Sequence, residues 1–332
     1  MKATVVGSGS WGTALAVCLC NNGHAVTLWS HNPKKAEEIQ KSRTNPSLEG
    51  IRLPDSLCVS GDPSCVCESE LVVIACPSFA IRSVCKAIAP FLSKNAVMVS
   101  VTKGIEPSSL LRMSQIVEEE TSRPVVALTG PSHAEEVARK IPTACLAASA
   151  SKEHAELVQD AFMSESFRIY TSPDIVGAEL GGAIKNVIAV CAGVIDGMGG
   201  GDNTKAMLIT RGLTEMARLG VSLGASKETF AGLAGIGDLT VTCTSRHSRN
   251  CRAGRFIGQG MSVSEAMQAS GGVVEGYYAA KSVIELARRQ GVNMPITEAA
   301  YSVLYEGNSV NSAVETLMNR KKKAESEDIS WI

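Results

Sequence analysis

Short apolar runs alternate with longer segments of helical periodicity through the first half of the chain. The runs at 4–6, 25–29, 71–75, 96–101 and 125–128 are apolar almost throughout. That pattern predicts strands buried on both faces, since a strand with one wet face would alternate apolar and polar positions. Helical segments are predicted between them at 11–22, 33–40, 81–91 and 107–119. Strand, helix and strand in this rhythm predict βαβ units and a parallel sheet. Two further strands are predicted at 143–148 and 167–171, flanking a helix over 152–163.

The pattern changes after Gly177, where strand signals almost vanish. Residues 178–198 form a long apolar stretch rich in small residues. Residues 204–219 carry Met207, Leu208, Leu213, Met216 and Ala217 near helical spacing. The segments 262–268, 277–290, 296–306 and 309–319 continue the pattern. The expected architecture is therefore α/β over residues 1–176, followed by a mostly α-helical domain over 177–332, joined near Ser172-Pro173-Asp174. A length of 332 residues suits two domains.

Composition narrows the partners. A net charge of −1 lacks the basic excess of a nucleic-acid binder. The compact basic run Lys321-Lys322-Lys323 is followed by Glu325, Glu327 and Asp328 and reads as a solvated tail. Disorder is expected over 324–332, including Trp331 and Ile332. The eleven cysteines are odd in number and form no CxxC pair. Cys18, Cys20, Cys76 and Cys191 sit in apolar company and read as small buried hydrophobes in a reducing cytoplasm. His24 and His154 read as exposed. A first strand near residue 3 leaves no room for a signal peptide. No uncharged apolar run reaches the roughly 18 residues of a membrane span. No spacing suited to a metal site is found, so no metal is expected.

The segment Gly7-Ser8-Gly9-Ser10-Trp11-Gly12 fits GxGxxG between a strand and a helix. The first glycine permits a tight turn, the second lets a pyrophosphate approach the backbone, and the third lets helix and strand pack closely. Helix amides from Ser10 onward would face the phosphates. In this context the motif predicts a Rossmann-like, doubly wound dinucleotide site. The second strand lacks the usual terminal carboxylate for the ribose hydroxyl. It ends instead in Ser30-His31-Asn32-Pro33-Lys34-Lys35, which predicts that NADP is accepted.

Hydride transfer needs a proton donor and acceptor beside the reacting oxygen. None of the five histidines has a partner evident in sequence. Two lysines stand out. Lys103, in VTKGIE, follows a predicted buried strand, and Lys185 lies in the small, apolar ELGGAIKNVI. Desolvation or a neighbouring cation would lower a lysine pKa toward neutrality. The alternative for each is a structural ion pair, with Glu179 or Asp238 as partner. Two clusters suit an anion: TGPSHAEE at 129–136, where Ser132 would cap a helix, and the loop from Asp238 through Arg246, Ser248, Arg249 and Asn250.

Taken in order, GSGSWGTALA, VTKGIE, LTGPSHAEEVA, ELGGAIKNVIAV, GLAGIGDLTVTCTSRHSRN and VVEG resemble the bacterial-type NAD(P)-dependent glycerol-3-phosphate dehydrogenases over nearly the whole chain. The resemblance implies interconversion of sn-glycerol 3-phosphate and dihydroxyacetone phosphate, supplying phospholipid synthesis. It implies cofactor contacts at Ser10, Trp11, His31, Lys103, Ala134, Arg249, Val273 and Glu275, beside Gly7, Gly9 and Gly12. It implies substrate contacts at Lys103, Gly130, Ser132, Asp238, Ser248, Arg249 and Asn250, with Lys185 as proton acceptor and Asn186 and Thr242 beside the reacting oxygen. Asn32 stands where the family often carries Arg or Asp, which leaves the balance between NADP and NAD open. A cytoplasmic homodimer is expected. The competing readings are a β-hydroxyacid or 6-phosphogluconate-type dehydrogenase, which the segment 238–250 disfavours, and a non-catalytic nucleotide sensor, which the two lysines disfavour.

Overall fold

The computed structural model describes residues 1–322, 324 and 325. The expectations for the tail beyond Glu325, Trp331 and Ile332 included, lie outside the described residues, as does Lys323 of the basic run.

One eight-stranded sheet is formed by β1 (Lys2–Val6), β2 (Ala25–Trp29), β3 (Cys58–Ser60), β4 (Leu71–Ile74), β5 (Val97–Ser100), β6 (Val125–Thr129), β7 (Thr143–Ala148) and β8 (Phe167–Ser172). Their order is β3-β2-β1-β4-β5-β6-β7-β8. The chain runs outward from β1 in one direction, then returns to β4 and runs outward in the other. The carboxyl ends of β1 and β4 therefore flank the crevice where such sheets bind ligands.

Alternation along each buried strand feeds two cores. Val5, Val73 and Val99 pack with Leu15, Leu19 and Phe162 on one face, while Val6, Val72 and Ile74 pack with Ile81, Ile88 and Ile116 on the other. Each fully buried Leu, Ile or Phe stabilises this arrangement by roughly 1.5–3 kcal/mol.

Three local expectations are corrected. The sheet is not wholly parallel, because β6 and β7 pair antiparallel. The link between them holds only the five-residue helix Ala134–Ala138, too short to carry the chain back to the opposite end of the strands. The edge strand β3 is short, part-exposed and without an apolar run, so nothing in the pattern announced it. The helix expected from residue 107 begins at Met113, after a turn with Leu110 at φ 60° and a bridge between Ile105 and Arg112.

From Ile175 onward the described chain is helical. Helix Ile175–Gly197 runs through the centre, buried along most of its length. It is long and apolar enough to cross a bilayer, but 83% of its most apolar window is covered by the protein itself. Helix Arg249–Gly258 crosses it at glycines: a Cβ added at Gly254 would overlap the carbonyl of Val190, and one at Gly193 that of Cys251. The segment read as a loop over 238–250 is instead mostly helical. Helix Asp238–Thr244 precedes a short link, and Ser248 caps the next helix by accepting from Cys251 N at 3.2 Å.

The eleven cysteines are unpaired. Cys18, Cys20, Cys76 and Cys191 are half-buried rather than buried. His24 and His154 are half-buried too, and His24 Nε2 lies 3.1 Å from the carbonyl of Ala161.

Candidate active site

The turn after β1 is built for close approach. Gly7 has φ +124°, and a Cβ there would come within 2.6 Å of the carbonyl oxygen of Ala75, at the end of β4. A side chain at Gly12 would overlap the carbonyl of Gly7. Gly9 meets nothing within 4 Å, so its outer face is open to a ligand rather than filled by packing. Thr13 N is bonded to Gly9 O at 3.0 Å, one turn into helix Ser10–Asn21. The preceding amides of Ser10, Trp11 and Gly12 have no carbonyl one turn back within the helix and carry its partial positive charge. These residues fit a dinucleotide pyrophosphate. Beyond β2, His31 and Asn32 are exposed. Asn32 caps helix Pro33–Ser42, its Oδ1 accepting from Lys34 N at 3.1 Å and Lys35 N at 3.3 Å.

Both notable lysines converge on one carboxylate. Lys185 Nζ donates to Asp238 Oδ1 at 2.5 Å and to Thr242 Oγ1 at 2.6 Å. Lys103 Nζ donates to Asp238 Oδ2 at 2.7 Å and to Gly130 O at 3.2 Å. Asp238 is only 1% exposed and Lys185 5%. The local sequence explains the convergence. A single π-helical turn, Leu233–Gly237, leads into Asp238. Gly181 admits the carbonyl of Ala234 from that turn, and Gly182 admits the stem of Lys103 at 3.4 Å from a hypothetical Cβ. Thr242 lies one helical turn beyond Asp238 and bonds back to its carbonyl at 2.6 Å.

The charges then set the chemistry. Burial pushes the Lys185 ammonium down to about 8, with Asp238 opposing and Lys103 assisting. Burial alone would raise the Asp238 carboxyl, but the two lysines outweigh it and hold it below the usual range. An ammonium has three donors. Each lysine has two of them engaged in the bonds above, which leaves one apiece to meet a substrate oxygen. With both lysines charged, the cluster carries one net positive charge, which favours an anionic substrate.

Further contacts surround this cluster. Asn250 Nδ2 donates to Asn186 Oδ1 at 2.9 Å, and Asn250 Oδ1 accepts from Gly276 N at 2.9 Å. Asn186 Nδ2 reaches Gly182 O at 3.2 Å. Ser132 does not cap the short helix: its hydroxyl donates to Gly130 O at 3.0 Å, and His133 holds the cap position. The ring of His133 lies 5.7 Å from that of His247, joining the two anion segments. Glu275 accepts from Ser78 N at 3.2 Å and Ser78 Oγ at 2.5 Å, and burial raises its carboxyl. Arg249 is exposed, with its guanidinium against Gly272. Val273 is half-buried and Ala134 buried.

Comparison with known proteins decides the family. Sequence models of the NAD-dependent glycerol-3-phosphate dehydrogenase N-terminus and C-terminus match residues 2–155 and 174–315. Glycerol-3-phosphate dehydrogenase [NAD(P)+] of Thermoanaerobacter sp. (strain X514) is 50% identical over 326 residues, covering 98% of this chain and 99% of the relative. That of Bacillus subtilis (strain 168) is 48% identical over 334 residues, covering 99% and 97%. The crystal structure of glycerol-3-phosphate dehydrogenase from Coxiella burnetii superposes with a TM-score of 0.92 at 36% identity, covering 96% of this chain and 99% of that one. This chain belongs to the NAD-dependent glycerol-3-phosphate dehydrogenase family.

As a member of that family it is an NAD(P)-dependent oxidoreductase, and the hydroxyacid and sensor readings are not favoured. The partner of Lys185 is Asp238 and not Glu179, which instead accepts from Arg112, from Ser114 N at 2.7 Å and from Ser114 Oγ at 2.5 Å. Sequence reasoning missed Ser78. Ser78 opens a short helical turn just past the carboxyl end of β4, a position that could have singled it out. The Thr129 hydroxyl is buried without a hydrogen-bond partner among the described residues.

Proposed function

We propose that this chain interconverts sn-glycerol 3-phosphate and dihydroxyacetone phosphate with NADP or NAD, and that Lys185 exchanges the proton at the C2 oxygen. The observation that carries this reading is the pair of lysines on Asp238, each with one donor left. A bound nicotinamide would supply or accept the hydride at C2. In reduction, the Lys185 ammonium donates its remaining proton to the carbonyl oxygen. In oxidation, neutral Lys185 takes the proton from the hydroxyl. Asp238 and Thr242 hold Nζ in place, and Lys103 steadies the same oxygen or its neighbour while lowering the Lys185 pKa. Asn186, Gly130, Ser132, Ser248 and Asn250 line the substrate side, with Arg249 as the phosphate's guanidinium partner. On the cofactor side we place Gly7, Gly9, Gly12, Ser10, Trp11, His31, Lys103, Ala134, Arg249, Val273 and Glu275.

We further propose a division of labour at residue 176, a cytoplasmic location, a homodimer, and a physiological direction toward glycerol 3-phosphate for phospholipid synthesis. Light scattering on the purified chain tests the dimer. The activity is tested by following the absorbance of NADPH and of NADH with dihydroxyacetone phosphate. Loss of absorbance with either is expected, and no loss with either from folded, cofactor-binding protein would overturn the substrate. Comparable rates with the two cofactors are expected from the absence of a ribose-binding carboxylate after β2; a large preference for NADH would overturn the reading that NADP is accepted there. Arg249→Ala should raise KM for dihydroxyacetone phosphate by about ten- to a hundredfold and change kcat much less. An unchanged KM would move the phosphate site elsewhere.

A further inference from the structure

The glycine-rich turn is held from behind by a segment in which the sequence shows no chemistry. Asn45 is 2% exposed, and its Nδ2 donates to Ser8 O at 3.0 Å and to Thr13 Oγ1 at 2.7 Å. Its Oδ1 accepts from Ser47 N at 3.0 Å, so all its groups are engaged. Lys35 Nζ donates to the same Ser8 carbonyl at 3.1 Å and to Ser47 Oγ at 3.2 Å. The Ser8 hydroxyl is fixed as well, donating to Ser30 Oγ at 2.9 Å inside the protein.

The Ser8–Gly9 peptide is trans, as is every peptide among the described residues. In a trans peptide the carbonyl and the amide of the next residue point in opposite directions. Anchoring Ser8 O on the inner side therefore aims the Gly9 N–H outward, beside the amides of Ser10 and Trp11. We propose that Asn45, helped by Lys35, is a positioning residue for the cofactor pyrophosphate: it fixes the Ser8–Gly9 peptide so that Gly9 N–H adds a donor to the phosphate cradle. The bond to Thr13 ties the same amide to the first turn of the helix, so cradle and helix end are set as one unit. This inference rests on the reading that the glycine turn takes the pyrophosphate.

The test uses the full chain and NADH, so that the 2′-phosphate of NADPH does not enter at Lys35. Asn45→Ala should weaken NADH about tenfold by fluorescence titration. It should leave KM for dihydroxyacetone phosphate, and kcat at saturating NADH, within about twofold. Lys35→Met keeps the stem on a half-exposed surface and should weaken NADH about threefold, which decides the matter should Asn45→Ala not fold. Gly9→Val serves as control, because Gly9 has φ −75° and open space around a Cβ. It should fold and lose NADH binding. Unchanged NADH affinity in Asn45→Ala and Lys35→Met, beside a loss in Gly9→Val, overturns the brace alone. Wild-type affinity in Gly9→Val overturns the pyrophosphate reading and the brace with it. A uniform loss of kcat and both affinities in Asn45→Ala, with a lowered melting temperature, would reduce Asn45 to a structural role and overturn the proposal.

Discussion

Lys185→Ala should lower turnover in both directions by about a thousandfold or more while NADH affinity and the circular dichroism spectrum stay as in the wild type. The fold should survive because alanine suits a helix interior and the substitution removes a charge that burial penalises. Asp238 keeps Lys103 as its counter-ion. The pH dependence follows from the Lys185 value of about 8. Reduction needs the ammonium, so kcat/KM for dihydroxyacetone phosphate should fall as pH rises through about 8. Oxidation needs the free amine, so kcat/KM for glycerol 3-phosphate should rise through the same region. Lys185→Arg should not restore oxidation, since a guanidinium does not give up its proton. Turnover near that of the wild type in Lys185→Ala would assign the proton to another group.

Asp238→Asn should be the second severe change, and its signature should differ. It preserves shape but removes the one carboxylate between the buried ammonium of Lys185 and the half-buried one of Lys103. Burial and Lys103 would then act on Lys185 unopposed, and its pKa should fall further. Reduction at neutral pH should drop about a hundredfold, with the midpoint of its alkaline limb shifted to lower pH by about one unit or more. Stability should suffer by about 3 kcal/mol where both lysines are charged. The sign follows from linkage. A lysine whose folded pKa lies below its unfolded value of about 10.5 destabilises the fold fully below the folded pKa, and the penalty fades as pH rises. The difference in melting temperature from the wild type should therefore shrink from pH 6 toward pH 10. An unmoved alkaline limb would show that Asp238 does not tune Lys185.

Much of the fold was legible because its strands are buried on both faces. Continuous apolar runs such as Leu71–Ile74 and the residues 125–128 need no tertiary information to be recognised. The same logic failed at β3, whose three residues lie at an edge and bury little. It failed again at the β6–β7 pair, since strand direction depends on whether a link can span the sheet, and no apolar period records that. The segment 238–250 read as a loop because its threonines, serines and Asn250 have low helix propensity. Packing against helix Ile175–Gly197 overrides that preference.

Of the candidate site, the sequence by itself determined which residues were chemically out of place: glycines between strand and helix, and a lysine in an apolar helix. Those signals are local, because burying a charge or omitting a side chain is costly wherever it occurs. Only the tertiary structure decided that Lys103 and Lys185 share Asp238, that Glu179 belongs to Arg112, and that Asn45 holds the Ser8 carbonyl. These are pairings between segments far apart in the chain. A side chain's partner is set by where packed backbones bring the two groups together, and composition around either residue carries no record of the other.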